Sequence, residues 1–498
     1  KGWLHLLSTN QWDEKKLIKE MQRLLKEDEF NQLQSLPPFA QMVSWIIVSH
    51  HRMPDLKLEN YENGVDGFDD YSDVALEDLS ELFETIKVTW NYENNFDGDF
   101  KKRLPKCFKF SSGLLKESTE WIKGLKRWSS RLLDCIDQVD EIIANHAWRA
   151  IIQYSRLSLM LGDHHFSSLP KNDKLWQPKS SLMANTDKKT KDVKQYLDEH
   201  LCGVYNHALH ASQYLKNLTF EMPFAHDLKK IKAKSPSRFI WQDLAVKEIQ
   251  NFRKQESFNL EQGWFIVNMA STGTGKTIAN AKIMQALSED GDALRYILAL
   301  GLRTLTLQTG DSYRENLGME KEDLAVLIGS KVVQELHEDA KKQHSEEEIS
   351  YEEIGSESLE ALLDDGIDYT EGLFYPEFMN VLFSQKESIQ AEKNKAFLYQ
   401  PILVCTIDHI MGATETTRGG KYLLPYLRLL SSDLVIDEVD DFGVEDLIPL
   451  ARLVHLAGML GRKVMISSAT IPPSLSEGLF NAYQKGFTVF TQFRNLSN

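Results

Sequence analysis

Val267–Met284, VNMASTGTGKTIANAKIM, decides how the C-terminal half of the chain is read. An apolar run enters the stretch and a helix-like run leaves it, with Gly273 and Gly275 set among threonines and Lys276 directly behind them. Strand, Gly-rich turn and helix in that order suit the holding of a triphosphate, because backbone N–H groups at a helix start curl around anionic oxygens. Ala270–Thr277, ASTGTGKT, matches a phosphate-binding loop with Ala in place of its first Gly. Ser271, Thr272, Gly273, Thr274 and Gly275 would line the phosphates, Lys276 would reach the β/γ oxygens, and Thr277 would ligate Mg²⁺. By itself the match also describes an ordinary strand-to-helix turn.

Further along, LVIDEVDD sets Asp437 and Glu438 after an apolar run, at the strand end where open parallel sheets place ligands. Asp437 would hold the Mg²⁺ and Glu438 would orient or deprotonate the attacking water. A DE pair after a strand is equally a solvated turn, but SSAT follows, with Ser468 lying 31 residues beyond Asp437 at the end of another apolar run. Short runs of this kind (GWFIVNMA, LRYILALGL, PILVCTID, SDLVIDEVDD and RKVMISSAT) alternate with helical stretches, which predicts a parallel sheet with crossover helices over 238–480. The constellation resembles the first motor domain of superfamily 2 helicases, with Asp437–Asp440 as the DExD/H element and Ser468–Thr470 as the SAT element. That resemblance implies that Asp440, Ser468 and Thr470 couple hydrolysis to nucleic-acid binding. It also implies that RFIWQDLA is a Q motif in which Gln242 reads adenine and Phe239 or Trp241 packs on it. Arg303, Thr304, Gln308, Thr406 and His409 sit where the family grips a strand, although each is as well explained as a loop or cap residue.

At 498 residues the chain allows about three domains. No apolar run approaches the ~18 residues of a membrane span, and Cys107, Cys135, Cys202 and Cys405 are too far apart for a zinc ribbon or redox pair. With no secretory leader, the expected setting is a reducing cytoplasm without a membrane partner. The net charge of −16 would argue against nucleic acid, yet Glu335–Glu371 holds fourteen carboxylates against two lysines, leaving −4 for everything else. This acidic insert, 335–371, reads as a solvated loop or short helices.

The first 170 residues follow helical periodicity, as in PPFAQMVSWIIVSHH, where Phe39, Met42, Val43, Ile46 and Ile47 share a face. His50 and His51 lie four residues after Ile46 and Ile47, and Asp163 four after Leu159, so all three are expected to point inward. Adjacent imidazoles and a carboxylate on facing helices make either a divalent transition-metal site or histidines of an ordinary core. The polar, lysine-rich segment from Pro178 reads as a linker, with 171–237 as linker and accessory helices.

SHHRMP, LMLGDHHFSS, ANTDKKT, LDEHLCGV, RFIWQD, VNMASTGTGKT, ALGLRTLTLQTG and DEVDD, in this order, resemble the CRISPR-associated helicase-nuclease of type I-F interference systems over about Ser49 to Ile471. The resemblance implies a multidomain architecture: an all-α HD-type metal nuclease followed by an α/β RecA-like helicase domain. It implies ATP, Mg²⁺ and a divalent metal as cofactors, and single-stranded DNA and an RNA-guided surveillance complex as partners. The adaptation integrase or phage inhibitor proteins are further candidate partners. His50, His51 and Asp163 are its implied metal ligands, and His200 a weaker candidate because it follows Asp163. Two departures stand out: the naming His-Asp doublet occurs only at His226-Asp227, and residues 481–498 read as the start of a connection to a second motor domain. An interior piece of such an enzyme is the expectation. A plain DNA or RNA helicase with a helical accessory domain, or a non-enzymatic scaffold, are the alternatives.

Overall fold

The structure, a computed structural model, describes residues 1–27, 33–53, 57–59, 68–70, 83, 102, 106, 109–111, 113–170, 176, 181–187, 190–255, 263–301, 303–320, 322–327, 376–383, 389–416 and 419–495. The whole acidic stretch 335–371, and Cys107, lie outside them. The chain forms two compact units, one built chiefly from Lys1–Gln213 and the other chiefly from Tyr214 onward. No described helix is long and apolar enough to cross a membrane.

The first unit is mainly helical: α1 (Gly2–Thr9), α2 (Glu14–Glu27), α3 (Pro38–Ser49), α4 (Thr119–Cys135), α5 (Val139–Ala144), α6 (Trp148–Ser168) and the start of α7 (Leu197–Glu221). Two antiparallel hairpins join them, β1 (Lys57–Glu59) with β2 (Phe68–Asp70) and β3 (Met183–Thr186) with β4 (Val193–Tyr196). Pro38 starts α3, where its missing N–H costs nothing. The buried residues of α3 are Gln41, Met42, Trp45 and Ser49, of which Met42 and Trp45 pack with Trp148, Ile152 and Phe83. This is a rotation from the expected face: Ile47 is 57% exposed, because the larger Trp45 takes the core position. The expected linker is also different. Its described residues 183–187 and 190–196 form the β3–β4 hairpin, where Asp187 Oδ1 accepts from the Thr190 amide and Lys191 adopts φ 62°. The helical unit thus runs past the expected boundary at 170 and through Gln213.

Two glycines set the spacing between α6 and α7. A Cβ on Gly162 would lie 2.6 Å from the Ala208 amide nitrogen and 2.8 Å from the Val204 carbonyl oxygen, and a Cβ on Gly203 would overlap the Phe166 ring. Only residues without side chains let the two backbones come this close.

The second unit is a six-stranded sheet in the order β5-β10-β9-β6-β8-β7, every pairing parallel. In chain order it comprises α8 (Lys229–Lys232), α9 (Ile240–Arg253), β5 (Phe265–Met269), α10 (Lys276–Ala286), β6 (Tyr296–Leu300), α11 (Arg303–Leu317) and β7 (Leu324–Leu327). These are followed by α12 (Ile389–Tyr399), β8 (Ile402–Thr406), α13 (Asp408–Met411), α14 (Gly419–Leu430), β9 (Asp433–Asp437), α15 (Leu447–Met459), β10 (Val464–Ser468) and α16 (Pro473–Asn495). Strands β6, β8 and β10 are buried throughout, which explains their unbroken apolar runs. In register Asp437 lies beside Ser467 on one side and Leu300 on the other, and Leu300 beside Thr406, so the carboxyl ends of four strands form one edge. Residues 481–495 continue α16, whose Tyr483 hydroxyl accepts from the Trp264 amide and donates to the Arg462 carbonyl. Gly458 and Gly486 permit this docking, since a Cβ on either would meet the backbone of the other helix.

Candidate functional site

The Gly-rich loop leaves β5 and turns into α10 through Gly273 at φ 77° and Gly275 at φ 80°, a left-handed geometry that side chains disfavour. Gly275 is constrained twice, because a Cβ there would stand 2.6 Å from Gln242 Nε2. Three successive loop carbonyls accept from the Q-motif segment: Gly273 O from Arg238 Nη2 at 3.5 Å, Thr274 O from Trp241 Nε1 at 3.0 Å, and Gly275 O from Gln242 Nε2 at 2.9 Å. In a planar peptide the N–H points opposite the C=O, so these bonds turn the amides of residues 275 and 276 to the other side of the loop, as an anion cradle requires, while the Thr274 amide donates to the Ser271 carbonyl at 3.2 Å. Ser271 and Thr272 are exposed and Thr277 is half-buried in the first turn of α10.

Lys276, nearly buried, puts Nζ 2.8 Å from Glu438 Oε2 and 4.0 Å from Asp437 Oδ1. Burial holds the Asp437 carboxyl above the usual range, opposed by a hydrogen bond from Ser467. Glu438 turns the chain with φ 53°, a conformation rare for a residue with a side chain. Asp440 accepts from Ser468 Oγ and, at 2.9 Å, from Thr470 Oγ1. Burial would raise its pKa, but these two bonds hold it below the ordinary value. Asp440, Ser468 and Thr470, picked out in the sequence as a coupling set, are therefore one hydrogen-bonded unit.

Two networks went unread in the sequence. Asn268 Nδ2 donates to Asn280 Oδ1 at 2.7 Å and Asn280 Nδ2 to Ser467 Oγ at 3.1 Å, forming a buried polar line through β5, α10 and β10 to the neighbour of Asp437. Lys282 Nζ ties Asp243 Oδ1 at 2.9 Å, Ser235 Oγ at 2.8 Å and the Ala233 carbonyl at 2.7 Å, fixing the Q-motif helix to α10. The available signal was polar residues on a helix buried from Ala279 to Ala286.

Among the strand-gripping candidates, Gln308 is exposed on α11 and His409 is half-buried on α13. The side chains of Arg303 and Thr304 lie outside the described residues. Thr406 is 1% exposed at the end of β8, packed under the sheet edge, so its side chain presents no surface to a nucleic acid.

In the helical unit His50, His51 and Asp163 come together, each offering a ligand atom within 4.8 Å of the others. Their placement does not follow from the helix face assumed in the sequence: α3 ends at Ser49, and buried Arg156 of α6 donates from Nε to the Ser49 carbonyl at 2.9 Å, fixing where the chain leaves. His50 Nδ1 lies 2.6 Å from the Ile47 carbonyl, which can only accept, so Nδ1 carries a proton and, in the neutral imidazole, Nε2 bears the lone pair. That Nε2 is 4.0 Å from Asp163 Oδ2, and His51 Nε2 is 3.7 Å from the same oxygen. His200 of α7 brings Nε2 to 3.2 Å from Asp163 Oδ1, the other oxygen of the same carboxylate, so it adjoins the cluster although it follows Asp163 in sequence. His226-Asp227 is an exposed pair of the second unit and has no part in the cluster.

Burial alone would raise the Asp163 pKa, but the His200 hydrogen bond and the nearby His51 and His164 draw it down to about 2. Burial lowers His51, and takes His164 down to about 4. The lowered Asp163 and His51 favour an anionic carboxylate beside a neutral imidazole, and carboxylate oxygen with imidazole nitrogen is the donor set of a borderline divalent cation. Ligand atoms around such a cation stand about 3 to 3.5 Å apart; the histidine nitrogens lie 3.2 to 4.0 Å from the Asp163 oxygens, and those of His50 and His51 within 4.8 Å of each other.

Residues 239–438 match the family model of the type III restriction enzyme res subunit. Together with the parallel sheet and its loop, that match makes the second unit an α/β RecA-like domain. The CRISPR-associated nuclease/helicase Cas3 subtype I-F/YPEST of Pseudomonas aeruginosa (strain UCBPP-PA14) is 39% identical over 463 residues, covering 92% of this chain and 40% of that protein. Its counterpart in Pectobacterium atrosepticum is 37% identical over 505 residues, covering 99% of this chain and 44% of that protein. The chain therefore spans less than half the length of these relatives. Among solved structures, T. fusca Cas3 with ATP aligns at 14% identity and a TM-score of 0.37, over 91% of this chain and 39% of that one. Identity of 37 to 39% across nearly the whole chain bears out the resemblance read from the motifs: the chain is a relative of the CRISPR-associated helicase-nucleases of type I-F systems.

Proposed function

We propose that the chain combines two chemistries, ATP hydrolysis that drives movement along single-stranded DNA and divalent-metal-dependent cutting of that DNA in an HD-type helical unit. The observation that carries this reading is the gathering of His50, His51 and His200 on Asp163 in a unit distinct from the one holding Lys276, Asp437 and Glu438. In the motor, Asp437 and Thr277 would hold Mg²⁺ while the amides of residues 275 and 276 receive phosphate oxygens. Lys276 would exchange its Glu438 partner for a β/γ oxygen, which releases Glu438 to orient or deprotonate the attacking water. Gln242 would read adenine from a position already bonded to the loop it serves, and Gln308 and His409 would meet the strand. Asp440 would pass the state of the catalytic carboxylates to Ser468 and Thr470.

In the helical unit His50, His51, Asp163 and His200 would hold the cation, which supplies Lewis acidity for phosphodiester hydrolysis. The relatives' description as CRISPR-associated supports action together with an RNA-guided surveillance complex. The test is a closed circle of single-stranded DNA incubated with the chain and Mn²⁺, alongside ATP turnover. Cutting should persist in Lys276→Ala and disappear in Asp163→Ala, while DNA-stimulated ATP hydrolysis shows the opposite pattern. Cutting that survives Asp163→Ala would leave a helicase with a non-catalytic helical unit.

A further inference from the structure

Gln195 and Asn185, on facing strands of the β3–β4 hairpin, reach into the helical unit beside His200. Gln195 is 3% exposed, and its amide orientation is set by a group that cannot donate: Nε2 lies 2.7 Å from the Phe166 carbonyl. Oε1 must then face the other way, where Asn185 Nδ2 stands at 2.8 Å and His200 Nδ1 at 3.0 Å. An oxygen between these two nitrogens accepts from both. Asn185 Nδ2 is also 3.4 Å from His200 Nδ1, but its two protons are engaged elsewhere, one by Gln195 Oε1 and one by Ser167 Oγ at 3.3 Å. His200 Nδ1 therefore donates. Ser167 Oγ in turn donates to Asp163 Oδ1 at 3.3 Å, so the same hairpin steadies the carboxylate through a second route.

We infer that Gln195, backed by Asn185, is a positioning residue of the metal site: it holds the His200 proton on Nδ1 and so presents the Nε2 lone pair toward Asp163. The consequence is visible in the 3.2 Å approach of Nε2 to Asp163 Oδ1. With Nδ1 committed to Gln195, Nε2 is the nitrogen left to face the carboxylate: a proton on it makes the hydrogen bond to Asp163, and a bound cation would take that proton's place. His50 shows the same design with a backbone carbonyl, its Nδ1 tied to Ile47 and its Nε2 turned inward. Hydrogen bonds on the outer nitrogen are how proteins fix the tautomer of a metal-facing imidazole.

The inference rests on the reading of this cluster as a metal site, and its test separates the two. Co²⁺ is titrated into the full chain, followed by its visible d–d absorption and by competition with a chelator. In parallel, two-bond ¹H–¹⁵N correlations of ¹⁵N-histidine-labelled, metal-free chain report the His200 tautomer, assigned by comparison with His200→Gln. Gln195→Met, which keeps the length of the side chain but loses the acceptor, should weaken Co²⁺ binding about 10- to 100-fold and release the Nδ1 preference. Gln195→Glu keeps an acceptor for Nδ1–H while losing the donor to Phe166, so it should bind Co²⁺ within about threefold of the parent. A packing role would damage both variants alike. Parent-like binding in Gln195→Met, or a metal-free parent whose His200 is protonated on Nε2 alone, overturns the inference. Co²⁺ binding indifferent to His51→Ala overturns the metal-site reading instead, and the tautomer measurement still decides what Gln195 does.

Discussion

In the sheet unit the facing residues come from short motifs at the ends of neighbouring strands, and the register of β6, β9 and β10 aligns them without further help. In the helical unit Asp163 meets His50, over a hundred residues earlier, and His200 of a different helix, and the meeting depends on two glycines and a buried arginine. A parallel sheet supplies a common edge from topology alone, whereas helices supply a site only where their spacing and ends are individually fixed. The helical site should therefore be the more easily broken by changes away from its ligands, and the motor site by changes within its motifs.

The largest effect tests independence. Lys276→Ala removes the lone cation of the loop and is expected to lower ATP hydrolysis about 10³-fold, roughly 4 kcal/mol of transition-state stabilisation. Metal binding in the helical unit should be unchanged, since distant sites without shared partners behave additively. A parallel loss of both activities in a folded variant would erase the distinction between the two regions.

Gly162→Ala sharpens it. The added Cβ meets backbone atoms of α7 and must push that helix away, with an expected cost of about 2 kcal/mol and a weaker metal site, while ATP turnover stays as in the parent. Gly478→Ala is the control, because nothing stands within 4 Å of its Cβ and a helical position favours Ala by about 1 kcal/mol. Hydrogen exchange across α6 and α7 reads the difference. Equal behaviour of the two variants would remove the close approach as the organising feature.

The smallest effect concerns the support of the motor site. Burial opposes ionisation of Asp243, but hydrogen bonds from Lys282 and Ser235 draw it down to about 2. This folded value lies below the ~3.9 of an unfolded Asp, so the stabilisation is complete above about pH 4 and is lost as pH falls through about 2. With the side chain 33% exposed, solvent screening limits the expected cost of Asp243→Asn at pH 7 to about 1 kcal/mol. The gap between parent and variant in a denaturant series should close on acidification toward pH 2. A gap that stays constant would mean that the carboxylate charge contributes nothing.

Legibility followed the same division. Lys276, Asp437, Glu438, Asp440, Ser468 and Thr470 were readable because each motif is local and the sheet does the rest. Thr406 misled because the end of an apolar run does not say whether its last side chain is covered. His50, His51 and Asp163 were readable as residue types, but the helix-face argument for them failed at Ile47, and the exit of the chain at Ser49 placed the histidines instead. The hairpin carrying Asn185 and Gln195 looked like a tether because amides and lysines dominate its composition. Its meaning lies in contacts with α6 and α7 that no spacing encodes.

The central claim is that the helical unit holds its own metal centre, and the most direct measurement is an anomalous-difference map from crystals of the chain soaked in Mn²⁺ without nucleotide. The account expects a peak bounded by His50, His51, Asp163 and His200, present in the parent and in Lys276→Ala and absent in Asp163→Ala. A map with no peak among those four residues, or with manganese only beside Asp437, would contradict it.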